Sequence, residues 1–324
     1  RDHREVSIFS DTRADPTLEQ VDEMAARARA FEADAVIGIG GGSPLDASKV
    51  VAAQVGAPGS AADFVGLDLV PPRTTPLLAV PTSAGTGSEV TRYSILTDTV
   101  HQIKAAVSSA GIIPDHAFLI PEMTYSMPPS VTAATGLDAF CHATEAYLSK
   151  KRNSYSDVMA LKAVALIAQN LEKVFNAPGD EAGRENMLLA SLFAGLAFAN
   201  ASVTAVHAFA YPLGGRHHVP HGLANSLMYA PVFRHNFPGN EARCADLAEA
   251  FCGVRDAAAF IPAVVEMKEN LKLPMSLAAA GIPESELEIM SQGVMGITRL
   301  LQVNPNEILP DDARRIYHEA YEGR

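Results

Sequence analysis

Apolar residues recur along this chain with two different periods, and the change from one to the other falls near residue 128. Before it, short apolar runs alternate with helical stretches. Residues 6–9 read as a strand leading into a polar turn that ends at Pro16, and Thr17 is placed to cap a helix carrying Val21, Met24, Ala25, Ala28 and Phe31 at helical spacing. Residues 35–39 read as a buried strand, 47–54 as a helix with Pro44 in its first turn, and 77–80 as a second buried strand. Residues 92–97 and 103–107 alternate as strands, and 117–120 follow before Pro121, Pro128 and Pro129 punctuate the chain. Beyond these prolines the helical period dominates: 133–148, 156–175, 184–200, 223–234, 241–251 and 257–271. Residues 206–211 predict a short helix broken at Leu213-Gly214-Gly215, with a new one starting near His221, and 274–324 predict shorter helices around Pro283 and Pro310. Strands first and helices afterwards predict an α/β domain over 1–128 and an all-helical domain over 129–324.

Composition narrows the partners. A net charge of -12 without a basic run disfavours nucleic acid, which is bound through an excess of lysine and arginine. The 48% hydrophobic and 19% charged content describes a globular chain, and no apolar run is long enough to predict a membrane span. The three cysteines, Cys141, Cys244 and Cys252, have no CxxC spacing and suggest reduced thiols in a cytoplasmic protein. The chain opens on Arg1, which predicts a preceding segment in the full protein.

Chemistry enters at Gly40-Gly41-Gly42-Ser43-Pro44-Leu45-Asp46, between a strand and a helix. Glycines there let backbone approach an anion closely, and the helix start offers free N–H groups and a partial positive charge. A plain turn has the same composition. The second strand, however, runs into Pro81-Thr82-Ser83-Ala84-Gly85-Thr86-Gly87-Ser88-Glu89, where hydroxyl residues alternate with glycine. Two such loops at the ends of consecutive parallel strands make a nucleotide site the leading reading.

His207, His217, His218 and His221 crowd into the stretch 206–222. Neutral imidazoles are the common nitrogen ligands of divalent metals, although a polar loop of satisfied histidines has the same look. Upstream, Asp138 and His142 stand at i and i+4, on one face of an otherwise apolar helix. Either they share a cation or they form an internal ion pair. One carboxylate with several imidazoles suits Fe(II), Zn(II) or another borderline ion, and leaves room for a substrate oxygen. His207 and His221 sit at the edges of the expected loop, whereas the adjacent His217 and His218 diverge, so that at most one faces the site.

GGGSPLD at 40–46, PTSAGTGSEVT at 81–91, TGLDAFCHATEAY at 135–147 and VHAFAYPLGGRHHVPHGLAN at 206–225 together resemble the iron-containing, group III alcohol dehydrogenases. The resemblance implies a dinucleotide-binding domain with a Rossmann-like parallel sheet, followed by an all-α metal-binding domain. It implies Asp138, His142, His207 and His221 as metal ligands. It sets NAD or NADP across Gly41, Gly42, Ser43, Asp46, Thr82, Ser83, Thr86, Thr91 and Lys104, with Ile95 flanking the nicotinamide ring, and lines the substrate pocket with Tyr93 and Phe198. The reaction implied is hydride transfer between a small alcohol or aldehyde and nicotinamide, with the metal as Lewis acid on the substrate oxygen. A homodimer is the assembly common in the family.

The chain departs from that pattern at Tyr211, where several alcohol-oxidising relatives carry a further histidine. A tyrosine with its usual pKa near about 10 is a poor base. Proton release then runs through His218, the cofactor ribose or water, and Tyr211 stays a candidate catalytic residue by its position. Asp15 stands where many relatives have asparagine. Rival readings keep the fold: a maleylacetate reductase, or a metal-dependent lyase or cyclase on a phosphorylated sugar, which the Ser43 and Asp46 pair disfavours.

Overall fold

A computed structural model describes residues 5–57, 59–101 and 103–323. The chain divides into two compact units: the described residues up to Ser83 with Ser88–Met123, and Ala84–Gly87 with the residues from Thr124 onward.

In the first unit, α1 (Leu18–Ala30) starts where the Thr17 hydroxyl accepts the Gln20 N–H, so the expected cap is the actual one. Then come β1 (Val36–Gly40), α2 (Gly42–Val55), β2 (Gly66–Leu67), β3 (Leu77–Pro81), β4 (Tyr93–Asp98), β5 (Ile103–Ser108) and β6 (His116–Ala117). β1, β3 and β6 form a parallel sheet in that order, in register from Val36 opposite Leu77 to Gly40 opposite Pro81. β5 lies between parallel β2 and antiparallel β4. Val21 and Ala25 of α1 meet Ala47, Val50 and Val51 of α2, Leu96 of β4 and Val107 of β5 in one apolar core.

Two expectations change here. Residues 35–39 read as a buried strand, yet Ile37 and Ile39 are 59% and 53% exposed. β1 is an end strand packed through one face only, on α2, where a Cβ at Gly38 would fall 2.2 Å from the Ser48 hydroxyl. Residues 6–9 pair with no strand among the described residues, and Val6 and Ile8 are exposed. Alternation marks which face a strand would bury, but a ladder needs a neighbour that local sequence does not supply.

Among its described residues the second unit has helices and no strand: α3 (Pro129–Leu148), α4 (Ser154–Asn176), α5 (Glu181–Ala201), α6 (Ala205–His217), α7 (His221–Asn236), α8 (Glu241–Cys252), α9 (Ala257–Asn270), α10 (Leu287–Met295), α11 (Thr298–Leu301) and α12 (Pro310–Glu322). α3 begins earlier than expected because Pro129 occupies its first turn, where a missing N–H costs nothing. It is buried along nearly its whole length, with Phe140 packed among Tyr229, Phe251 and Phe260. Among the described residues no single helix is long and apolar enough to cross a membrane.

The largest correction concerns 206–222. α6 does not break at Leu213-Gly214-Gly215; it runs through Pro212 and both glycines and ends at His218, in the left-handed conformation. His217 is therefore in the last helical turn and His218 is the cap, rather than both lying in a loop. Interior proline and glycine weaken a helix by about 1 to 3 kcal/mol each, which tertiary contacts can offset. Leu213 is fully buried, and the Tyr317 hydroxyl donates to the Phe209 carbonyl at 2.8 Å.

Candidate metal centre

Asp138 and His142 lie one turn apart on α3, and the spacing that puts them on one face turns that face into the helical core, leaving them 3% and 6% exposed. His207 comes from the first turn of α6, and His221 from the first residue of α7. The Nε2 atoms of His142, His207 and His221 stand 3.9, 3.8 and 3.7 Å from Asp138 Oδ1, and one ligand atom from each of the four residues lies within 4.8 Å of every other. Ligands bound tetrahedrally at about 2.1 Å are about 3.4 Å apart, so the cluster has the size of a divalent-ion site. The His221 side chain is 50% exposed, which leaves that side open.

The hydrogen bonds behind the ring fit an ion as well. His142 Nδ1 faces the Gly85 carbonyl at 3.2 Å, and His207 Nδ1 donates to Glu145 Oε2. Fixing the proton on Nδ1 turns the Nε2 lone pairs of both rings toward Asp138. Among these acceptors stands the Asn225 amide nitrogen, 2.8 Å from Asp138 Oδ1 and 3.1 and 3.2 Å from the Nε2 atoms of His207 and His221. A set of converging acceptors that draws the positive end of an amide dipole suits a cation. Burial works to raise the Asp138 carboxyl, but the three imidazoles outweigh it and hold the pKa below the ordinary value. Burial pushes His142 down to about 4, keeping it neutral and available as a ligand. For His207, burial is outweighed by Glu145 and Asp138, and its pKa rises.

Other expected residues divide around this centre. Phe198 stacks on His142 with ring centroids 4.3 Å apart, and Tyr211 lies 6.4 Å from the His221 ring. His217 is 3.3 Å from Glu286, beside Arg216, and His218 is exposed; neither joins the cluster. Thr86 belongs to the same unit as these four residues.

In the first unit, Gly41 is the N-cap of α2, with Gly42 and Ser43 in the first turn. A Cβ at Gly41 would come within 3.1 Å of the Ser83 hydroxyl, and the Thr82 N–H bonds the Gly40 carbonyl, so the two expected loops meet at the ends of β1 and β3. The Ser43 hydroxyl accepts the Asp15 N–H, and Asp15 pairs with Lys104 at 2.6 Å. The Asp46 carboxylate accepts from the Ser88 hydroxyl at 2.6 Å and the Ile95 N–H at 2.8 Å; burial raises its pKa. Thr91 is buried and accepts from Lys49 Nζ, which also donates to the Tyr93 carbonyl.

Sequence reading passes over Glu145, Asn225 and Lys49. Glu145 was in principle visible, since it follows His142 by three positions on the same helical face. Asn225 follows His221 by four, with the same signal.

A parallel sheet ending in a glycine turn and, in the same chain, a cluster of one Asp and three His are the elements of a metal- and dinucleotide-dependent enzyme. Residues 1–121 match the family model described as iron-containing alcohol dehydrogenase, and 132–321 the C-terminal model of the same family. The long-chain-alcohol dehydrogenase 1 of Geobacillus thermodenitrificans is 37% identical, over 98% of this chain and 82% of that protein. A 1,3-propanediol oxidoreductase structure superposes with a TM-score of 0.94 at 33% identity, covering 98% of this chain and 85% of that one. The sulfoacetaldehyde reductase of Bifidobacterium kashiwanohense, in complex with NAD+, superposes at 0.92 with 33% identity, covering 97% and 83%. The chain belongs to the iron-containing alcohol dehydrogenase family.

Proposed function

We propose that this chain is an NAD(P)-linked alcohol dehydrogenase and aldehyde reductase whose divalent ion, Fe(II) or Zn(II), is held by Asp138, His142, His207 and His221. The observation that carries this reading is the convergence of those four ligand atoms within 4.8 Å. When bound, the ion supplies a Lewis acid for the substrate oxygen and the nicotinamide supplies the hydride acceptor or donor.

The protein's part is positional. Gly41, Gly42 and Ser43 present N–H groups and the α2 dipole to the cofactor phosphates, with Thr82, Ser83, Thr86 and Thr91 adding polar contacts around the dinucleotide. Asp46 fixes the Ile95 backbone, so that the exposed Ile95 side chain offers an apolar edge to the nicotinamide, and Lys104 neutralises cofactor charge. Phe198, stacked on His142, and Tyr93 of β4 are the residues assigned to substrate choice. Tyr211 relays the proton, because a phenol hydroxyl both donates and accepts, and the exposed His218 exchanges protons with water.

A small alcohol or aldehyde is the substrate class, supported by relatives named for 1,3-propanediol and sulfoacetaldehyde, while another relative is named for a long-chain alcohol. Cys141, Cys244 and Cys252 are all free, which suits a reducing cytoplasm, and the assembly we expect is a homodimer. The test is metal analysis of the purified protein together with NADH and NADPH oxidation against an aldehyde panel. Metal at one per chain and aldehyde-dependent oxidation are expected. Full turnover by a metal-free His221→Ala protein would overturn the reading.

A further inference from the structure

α6 begins without help from its own first residues. Thr204 is its N-cap, yet the Thr204 hydroxyl makes no bond to the N–H groups of its own helix. Such groups need an acceptor when buried, and Thr204, Val206 and His207 are all buried here. The acceptor is Glu145, from α3. Its Oε1 takes the Thr204 N–H at 2.9 Å, the Thr204 hydroxyl at 2.9 Å and the Val206 N–H at 2.8 Å. A carboxylate at a helix N-terminus also meets the positive end of the dipole.

Capping accounts for one oxygen. The other, Oε2, accepts from His207 Nδ1, a bond that contributes nothing to the helix start. A neutral acceptor serves as a cap without the several kcal/mol that burying a carboxylate costs, so the charge requires a second reason. His207 supplies it: a proton held on Nδ1 leaves Nε2 bare toward Asp138, and a negative partner makes the ring a stronger donor.

We propose that Glu145 is the positioning residue of the metal centre, one buried carboxylate that both starts α6 and fixes the tautomer and direction of His207. The inference rests on the metal-centre reading above and extends it to a residue outside the ligand set. One oxygen fixes the backbone from which His207 projects, and the other fixes the ring, so the ligand atom is set in both position and protonation.

Glu145→Gln separates the two roles. The amide oxygen can still cap α6, but the amide nitrogen cannot accept the His207 proton and forces it to Nε2. Zinc affinity, measured by competition with a chromophoric chelator, is expected to fall about 10- to 100-fold while the metal-free protein melts close to the parent. The visible spectrum of the Co(II)-loaded variant should also differ from that of the parent, a change a cap alone would not produce. Affinity within twofold of the parent in a folded Glu145→Gln protein would overturn the proposal. Should the variant not fold, zinc-loaded parent labelled with 15N-histidine decides: a proton on His207 Nδ1 is expected, and a bare Nδ1 refutes it. A parent protein that takes up no zinc, or whose zinc is indifferent to His221→Ala, would instead sink the metal-centre reading itself.

Discussion

A Cβ at Gly222 would fall 2.0 Å from the carbonyl oxygen of Ala134 and 3.3 Å from the Asp138 Cβ. The start of α7 thus rests directly on α3, and His221 reaches Asp138 because its neighbour has no side chain. Gly222→Ala is expected to push the helices apart, destabilise the protein by about 1–3 kcal/mol and weaken metal binding together with it. Urea midpoints and metal content of the variant check this; an unchanged metal affinity would mean that α7 is free to shift without moving His221.

His221 and His207 should behave differently on removal. His221 is half exposed, so His221→Ala should lose the metal while the metal-free protein keeps its melting temperature. His207 is buried against Glu145, and His207→Ala leaves a buried carboxylate oxygen without its donor, adding a loss of about 1–3 kcal/mol. Metal analysis and thermal melts of both metal-free variants distinguish the cases.

Lys104 and Asp15 form an exposed pair, and such pairs contribute about 0–1 kcal/mol. Lys104→Ala should therefore leave the urea midpoint nearly unchanged. If Lys104 meets the cofactor, KM for NAD(P)H rises several-fold with kcat little altered. Steady-state kinetics at fixed aldehyde measure both, and an unaltered KM would remove Lys104 from the cofactor site.

Burial pushes the Lys268 ammonium down to about 8, and its Nζ donates to the Ser226 carbonyl at 2.8 Å. The unfolded lysine titrates at about 10.4. Between those values the unfolded chain holds a proton that the folded chain has released, so this group makes stability rise with pH across that window. Below it both states are protonated and the folded state bears the full burial cost. Lys268→Met should then be at least as stable as the parent at neutral pH, and the parent should gain on it by up to about 3 kcal/mol as pH climbs toward about 10.5. Urea denaturation of both proteins at several pH values tests this, since a flat difference would show that Lys268 keeps its ordinary pKa.

Tyr211 stands beside His221, with the ring centroids 6.4 Å apart. An imidazole titrates at about 6.5, so Tyr211→His should move the acidic limb of kcat/KM for alcohol oxidation to lower pH. Tyr211→Phe, which cannot relay a proton, should slow oxidation with little change in metal content. A pH profile indifferent to both substitutions would take the proton route away from this residue.

Local sequence was enough for much of this molecule. Thr17 as a cap, Pro44 in a first turn, the glycine turn after β1 and the i, i+4 placement of Asp138 and His142 depend on backbone preferences and on the helical repeat, which act over a few residues. These also fixed the order of strands before helices. Which histidines meet Asp138 could be read only through the family resemblance. His207, His217, His218 and His221 are equivalent as residue types, and it is the crossing of α3, α6 and α7 that brings His207 and His221 to the ring while His217 turns to Glu286. The persistence of α6 through Pro212 and two glycines, the exposed face of β1 and the double role of Glu145 have the same origin. Each depends on what another segment places alongside, a contact such as Gly222 against Ala134, separated by tens of residues along the chain and decided by packing.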